Sequence, residues 1–157
     1  VRQLLAADAE RGKMRRLLIT GSRTWTDRET MRNALLCWFD EDMTLISGHC
    51  PDGADRMAEE LWARFLHMSV MDAILTERIE IHPADWQLHG KAAGFRRNAE
   101  MVARNPFACL AFACWCEKEE CKPHFPPHYT HGTQHCMDRA HGAGIPVHEF
   151  IQGSEWK

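Results

Sequence analysis

No surplus of either charge marks this chain, and that absence removes one class of partner. The formal net charge is −3 over 157 residues. A balance so slight gives no general attraction to nucleic acid. Long apolar runs are missing as well. The longest, "ACLAFACWC", falls far short of the roughly 20 residues that span a bilayer, so no membrane partner is expected. The opening stretch "VRQLLAADAERGK" is charged throughout and holds no apolar signal core. Internal repeats are absent. The cysteines number seven, an odd count, which does not suit a disulfide framework. Without a signal core it points to a reducing cytoplasm with free or metal-bound thiols.

What is present suits one domain. The length is typical of a single folding unit, and a hydrophobic content of 45% is ample for one core. Ten histidines make the net charge sensitive to pH between roughly 5 and 8. Met14 precedes the first clear core strand. Residues 1–13 therefore read as an N-terminal extension outside the fold or, alternatively, as an amphipathic helix with Leu4, Leu5 and Ala9 on one face. The fold proper is expected over 14–151, with 152–157 as a tail.

Hydrophobic patterning alternates between two kinds of segment. "RLLITGSR", "MTLISG", "RIEIHPAD", "ACLAFA" and "IPVHEF" are short runs, several closed by glycine or proline, and read as strands, the first two as buried ones. Between them lie helical patterns. In "TDRETMRNALLCWFDE", Met31, Leu35, Trp38 and Phe39 share helical spacing, and Asp27 is a candidate N-cap, with Thr26 an alternative. "DGADRMAEELWARFLHM" carries Ala54, Met57, Ala58, Leu61, Trp62 and Phe65 on one face. "AGFRRNAEMVARN" and "GTQHCMDRAHGAG" complete the set. Strands that are continuously apolar fit a parallel sheet covered on both faces. The expected fold is a single Rossmann-like, doubly wound α/β domain with a mainly parallel sheet of about five strands. Cys37, Cys109 and Trp62 are expected in its core. Trp25 and Trp86 could either pack or cover a ligand.

In such sheets ligands bind beyond the carboxyl ends of the strands. Four glycine-bearing segments should converge there: "TGSR", "SGHCPDGAD", "AGFRRN" and "HGT". Helix N-termini suit phosphate, and glycine lets the backbone come close to it. The expected ligand site uses backbone at Gly21, Ser22, Gly53 and Gly132, with hydroxyls from Ser22 and Thr133. Arg23 and Arg97 would hold phosphate, and Asn98 and Asp55 would read sugar or base. Asp55 has a blander reading as the N-cap after a turn.

The segments "TGSRTWTD", "SGHCPDGADRMAEELW", "PADWQLHGKAAGFRRNAEM", "LAF" and "HGT…A…GIPV" together resemble the YspA-like branch of the SLOG superfamily, in the right order from about Arg15 to Phe150. The resemblance implies a Rossmann-like fold that binds nucleotides or nucleotide-derived small molecules, and a phage or bacterial setting. The superfamily also contains the Lonely Guy phosphoribohydrolases, with an Arg-Lys-x-x-x-Met-like segment and a PGGxGTxxE motif. Here "RRNAEM" resembles the first, with Arg97 at the arginine and Asn98 in place of the lysine. "HGT" resembles the end of the second, and Cys136 stands where the catalytic glutamate would be. That departure favours binding over hydrolysis of an N-glycosidic or phosphoester bond. The likeness also reaches DNA-processing proteins, but the acidic balance and the lack of a basic–aromatic stripe count against a single-stranded nucleic-acid module. The sequence leaves the assembly open between a monomer and a homo-oligomer.

The stretch from Cys114 to Cys136 holds four cysteines and four histidines. In the resembling family a short loop joins "AF" to "GT", so 113–131 reads as an insertion at the mouth of the site. Cys114, Cys116, Cys121, His124 and His128 offer soft ligands at spacings that can close around tetrahedral zinc. Structural zinc is the expected cofactor. The alternatives are a free thiol loop and a catalytic metal. His131 and His135 flank the Gly-Thr turn and are expected to face the ligand site or solvent.

Overall fold

A computed structural model describes residues 15–153. The expectations for 1–13 and for the last residues of the tail lie outside the described residues. Five strands form one sheet: β1 (Arg15–Gly21), β2 (Met43–Ser47), β3 (Ile79–Ile81), β4 (Ala108–Cys114) and β5 (Val147–Gln152). Their order is β3-β2-β1-β4-β5, and every pairing is parallel. The doubly wound reading holds.

Alternation along β1, β2 and β4 explains their continuous apolar runs, while the edge strands β3 and β5 stay partly exposed. Leu17, Ile19, Leu45, Leu110 and Phe112 point into one buried cluster. Their neighbours Leu18, Ile46 and Cys109 point into a second, on the opposite face. A strand buried on both faces has no polar side to show. The first cluster is closed by α1 (Arg28–Trp38), α2 (Gly53–Phe65) and α3 (Val70–Leu75). The second is closed by α5 (Ala93–Ala103) and α6 (His131–Gly142). A short helix α4 (Trp86–His89) and a 3₁₀ turn (Gly90–Ala92) lead into α5.

Trp62 and Cys109 are core residues, as expected. Trp25 is also core, only 2% exposed and edge-on to Phe112, so it packs and does not cover a ligand. Cys37 departs from expectation. It is exposed, because it falls on the outer face of α1 beside Leu36 while Met31, Ala34 and Leu35 take the buried face. Among the described residues no helix is long and apolar enough to cross a membrane.

The turn after β1 runs close against the start of α2. A side chain at Gly53 would collide with the carbonyl oxygens of Ser22 and Arg23, and Gly53 has φ +70. Both facts demand glycine. Gly132, on α6, has open space within 4 Å of the place a Cβ would take. Gly53→Ala should therefore cost about 1–3 kcal/mol, whereas Gly132→Ala should stay within about 0.5 kcal/mol. Urea denaturation of both variants checks this, and equal stabilities would contradict it.

Candidate functional site

Chain order runs outward in both directions from β1 and β4, so the crevice of a doubly wound sheet lies between their carboxyl ends. A cavity of about 380 Å³ occupies that place. Of the residues nominated for ligand binding, Gly21, Ser22, Arg23, Asp55, Arg97, Asn98, Gly132 and Thr133 all line it. Gly53 does not, and its role is the close approach described above.

The polar groups of several lining residues are already committed inward. Ser22 is 1% exposed. Its hydroxyl accepts from Cys114 N at 2.8 Å and bonds the Thr130 hydroxyl at 2.6 Å. Asn98, 3% exposed, donates its amide to Gly132 O and approaches His135 Nδ1, so it ties α5 to α6. Its Oδ1 accepts from Arg97 Nε. Arg97 Nη1 in turn donates to Gly48 O at 2.7 Å. A Cβ at Gly48 would strike the Arg97 guanidinium and stand 2.9 Å from Asp55 Oδ2. Gly48 thus keeps open the space where those two charges approach.

Asp55 is not the N-cap of α2; that position is Asp52, and Asp55 sits buried in the first turn. Among the described residues its carboxylate accepts one hydrogen bond, from Cys50 N, and forms no ion pair within 4 Å. Burial pushes its pKa up to about 6, while the charge of Arg97 pulls it down and Glu59, one turn along, pushes it up. Glu59 is itself held by the Ser47 hydroxyl at 2.7 Å and by His49 Nδ1 at 3.1 Å. Cys136, in the position of the hydrolases' glutamate, is fully buried. A thiol hydrogen bond with Cys109 holds it below the ordinary range, and it does not line the cavity.

Helix capping divides the helices into two groups. Asp27, Ser69 and Asp85 cap α1, α3 and α4 with side-chain hydrogen bonds. The helices α2, α5 and α6, whose first turns reach the cavity, have no side-chain cap. The positive dipole at those ends is directed at whatever enters, although Ala54 N is already bonded to Ser22 O and Ala93 N to Gly90 O. Arg23, Lys91 and Lys118 also line the cavity, and none has an acidic partner among the described residues. The Arg23 guanidinium lies 5.7 Å from the ring centre of Trp86, which is half exposed at the rim. Phe95 stacks on His135 at 4.3 Å on another side. Lys91, Lys118 and Phe95 were not legible in the sequence, because no motif marks a lone lysine or an exposed aromatic.

The loop between β4 and α6 folds back on itself. An isolated antiparallel bridge joins Trp115 to Tyr129, Cys116 N donates to His128 O, and Thr130 N donates to Cys114 O. This brings Cys116, Cys121, His128 and His131 together, one ligand atom from each lying within 4.8 Å of the others. Cys114 and His124, nominated with them, lie outside the group. Cys114 ends β4 with its side chain in the core, and His124 is exposed at the loop tip. His131 takes the remaining place. Its Nε2 is 3.5 Å from Cys121 Sγ, 3.7 Å from Cys116 Sγ and 3.1 Å from His128 Nε2. Ligand atoms around a tetrahedral zinc stand about 3.3–3.8 Å apart, given the usual Zn–N and Zn–S lengths. His128 Nδ1 donates to Pro126 O, which leaves its Nε2 lone pair for a metal. Burial lowers His131 further into the neutral form. The group could hold a metal ion.

A family model described as YspA, cpYpsA-related SLOG family matches residues 15–89. Gene 61 protein of Mycobacterium phage D29 is 39% identical over 140 residues, which cover 87% of this chain and 97% of that protein. No solved structure matches the chain.

Asp55 gives a pH signature. Its folded pKa, about 6, lies above the ordinary carboxylate value, so the stability it contributes is present below about pH 4 and lost as pH rises through about 6. Above pH 6 the buried charge costs up to about 3 kcal/mol. Asp55→Asn should raise Tm at pH 8, with the gain vanishing towards pH 4. A variant less stable than the parent at pH 8 would overturn this account of Asp55.

Proposed function

The chain belongs to the YspA, cpYpsA-related SLOG family, and from that premise we propose that its cavity binds a nucleotide or a nucleotide-derived small molecule. One observation carries the reading. Three helices whose first turns reach the cavity, α2, α5 and α6, have no side-chain cap, the fourth, α4, being capped by Asp85, and three cations with no acidic partner among the described residues stand around the same space. Helix N-termini with cations beside them suit phosphate. The rim aromatics Trp86 and Phe95 suit a base. The inward commitments of Arg97, Asn98 and Ser22 support a reading in which phosphate is met chiefly by Arg23 and by backbone at Gly132 and Thr133. Likeness to a phage protein supports a role in phage–host conflict, as a sensor or as a sequestering protein.

A second reading, hydrolysis of an N-glycosidic or phosphoester bond, is favoured by Asp55. A buried carboxyl that titrates near neutrality, with one protein hydrogen bond, has the form of a general acid or base. Its position differs from that of the glutamate replaced by Cys136. A buried carboxylate that costs stability is retained for some use, and contact with ligand hydroxyls serves equally well.

The Cys/His group is assigned a structural zinc ion. Two buried thiols and two imidazoles match a closed four-ligand set, and no ligand position is left over for substrate.

Three measurements test these assignments. Arg23→Ala should lose one charge-assisted contact, roughly 1.5–3 kcal/mol, or about tenfold to hundredfold in affinity, with Tm unchanged. Calorimetry with ADP-ribose and nucleoside mono- and diphosphates checks this, with exposed Arg139→Ala as the control. Equal affinity in the parent and Arg23→Ala for a ligand that binds would remove the phosphate placement. Release of free base or phosphate in the same mixtures, lost in Asp55→Asn, would select the hydrolase reading. For the metal, elemental analysis should find about one zinc per chain, falling in Cys121→Ser while the sheet stays folded. Metal-free protein from a chelator-free purification would refute the assignment.

A further inference from the structure

The Cys/His group and the cavity share a wall. His131 belongs to both, offering Nε2 to the group and lining the cavity. Lys118 lies between Cys116 and Cys121, in a turn closed by Cys121 N to Lys118 O at 3.0 Å, and it also lines the cavity. Thr130, next to His131, joins a chain of hydroxyls: Ser22 Oγ to Thr130 Oγ1 at 2.6 Å, then Thr130 Oγ1 to Thr133 Oγ1 at 3.1 Å. All three of those residues face the cavity.

We propose that metal binding at this group and anion binding in the cavity are thermodynamically linked, the metal acting as a second ligand that completes the cavity wall. The inference rests on the reading of the cavity as an anion site. Its physical basis is the loop's own construction. Residues 117–120 and 122–126 are exposed. Backbone bonds at 114–116 and 128–130 close the base of the loop. Beyond that base, backbone bonds from Cys121, His124 and Phe125 close short turns within the tip, and Cys121 and Lys118 sit in those turns. A soft divalent cation of the zinc class, bonded to Cys121 and Cys116 on one arm and to His128 and His131 on the other, fixes both arms at once. Lys118 is then held over the cavity, and the first turn of α6 is held against Ser22. Ordering a wall before the anion arrives removes an entropic cost from anion binding. Linkage is reciprocal, so the anion must tighten the metal by the same factor.

The test uses the full chain with zinc and ADP-ribose as probes. Calorimetry should give a zinc-loaded protein that binds ADP-ribose roughly 5- to 150-fold more tightly than the chelated protein. Zinc should bind more tightly by the same factor when ADP-ribose is saturating. Cys121→Ser should behave like chelated parent whether or not zinc is added. Lys118→Ala should keep its zinc and lose most of the factor. Equal ADP-ribose affinity with and without zinc would overturn the linkage and leave the anion site standing. If ADP-ribose binds neither form, the ligand reading fails with that probe, and hydrogen exchange decides the linkage. Protection on adding zinc should then extend beyond the loop to Ser22 and 131–135. Protection confined to 115–129 would overturn it.

Discussion

Ser22 is the junction on which the site depends. Its N–H donates to Phe112 O and its carbonyl accepts from Trp25 N and Ala54 N. Its hydroxyl accepts from Cys114 N and bonds Thr130. One buried residue therefore fixes the end of β1 to the end of β4, to the first turn of α2 and to the entrance of α6. In a parallel sheet the strands set the floor of the crevice but not the positions of the loops that wall it. Here the loops are pinned through a single side chain and its backbone. The glycines next to this junction follow from it. Gly21 and Gly53 are small because the chain comes within collision distance of Ala54, Phe112 O and the Ser22 carbonyl. A ligand need not touch either of them.

The same economy explains which parts of the site were legible in the sequence. Strands buried on both faces advertise themselves as unbroken apolar runs, so the sheet and its doubly wound order could be read. The convergence of "TGSR", "AGFRRN" and "HGT" could be read too, because topology alone brings those segments to one edge. The direction of each side chain could not. Arg97 and Asn98 read as ligand contacts, yet much of their hydrogen bonding is spent on Gly48 O, Gly132 O and each other. Spacing within the Cys/His stretch gave the right neighbourhood and three of the four grouped residues. It missed His131 and included Cys114 and His124, because the Trp115–Tyr129 bridge sets which residues face each other, and a bridge leaves no mark in composition. Helices α3 and α4 escaped notice as well; at four to six residues they show too little periodicity to detect.

Two features run against stability and so point to use. Asp55 is a buried carboxylate with one hydrogen bond and, among the described residues, no counter-ion within 4 Å, although the charge of Arg97 reaches it from farther off. The helices α2, α5 and α6 lack side-chain caps at the cavity, where a side-chain hydrogen bond to the first turn would add about 1 kcal/mol. A fold selected only for stability would have corrected both. Both lie around one cavity, uncapped helix starts and cations at its sides and a buried carboxyl in its lining.

The central claim is that a phosphate-bearing nucleotide derivative sits between the ends of β1 and β4. An amide-resolved NMR titration with ADP-ribose tests it most directly. The account predicts shifts concentrated at 21–24, 54–55, 94–98, 118 and 130–133, with the far edge of the sheet at 43–45 and 79–81 silent. Shifts centred on that far edge, or spread evenly over the surface, would contradict it.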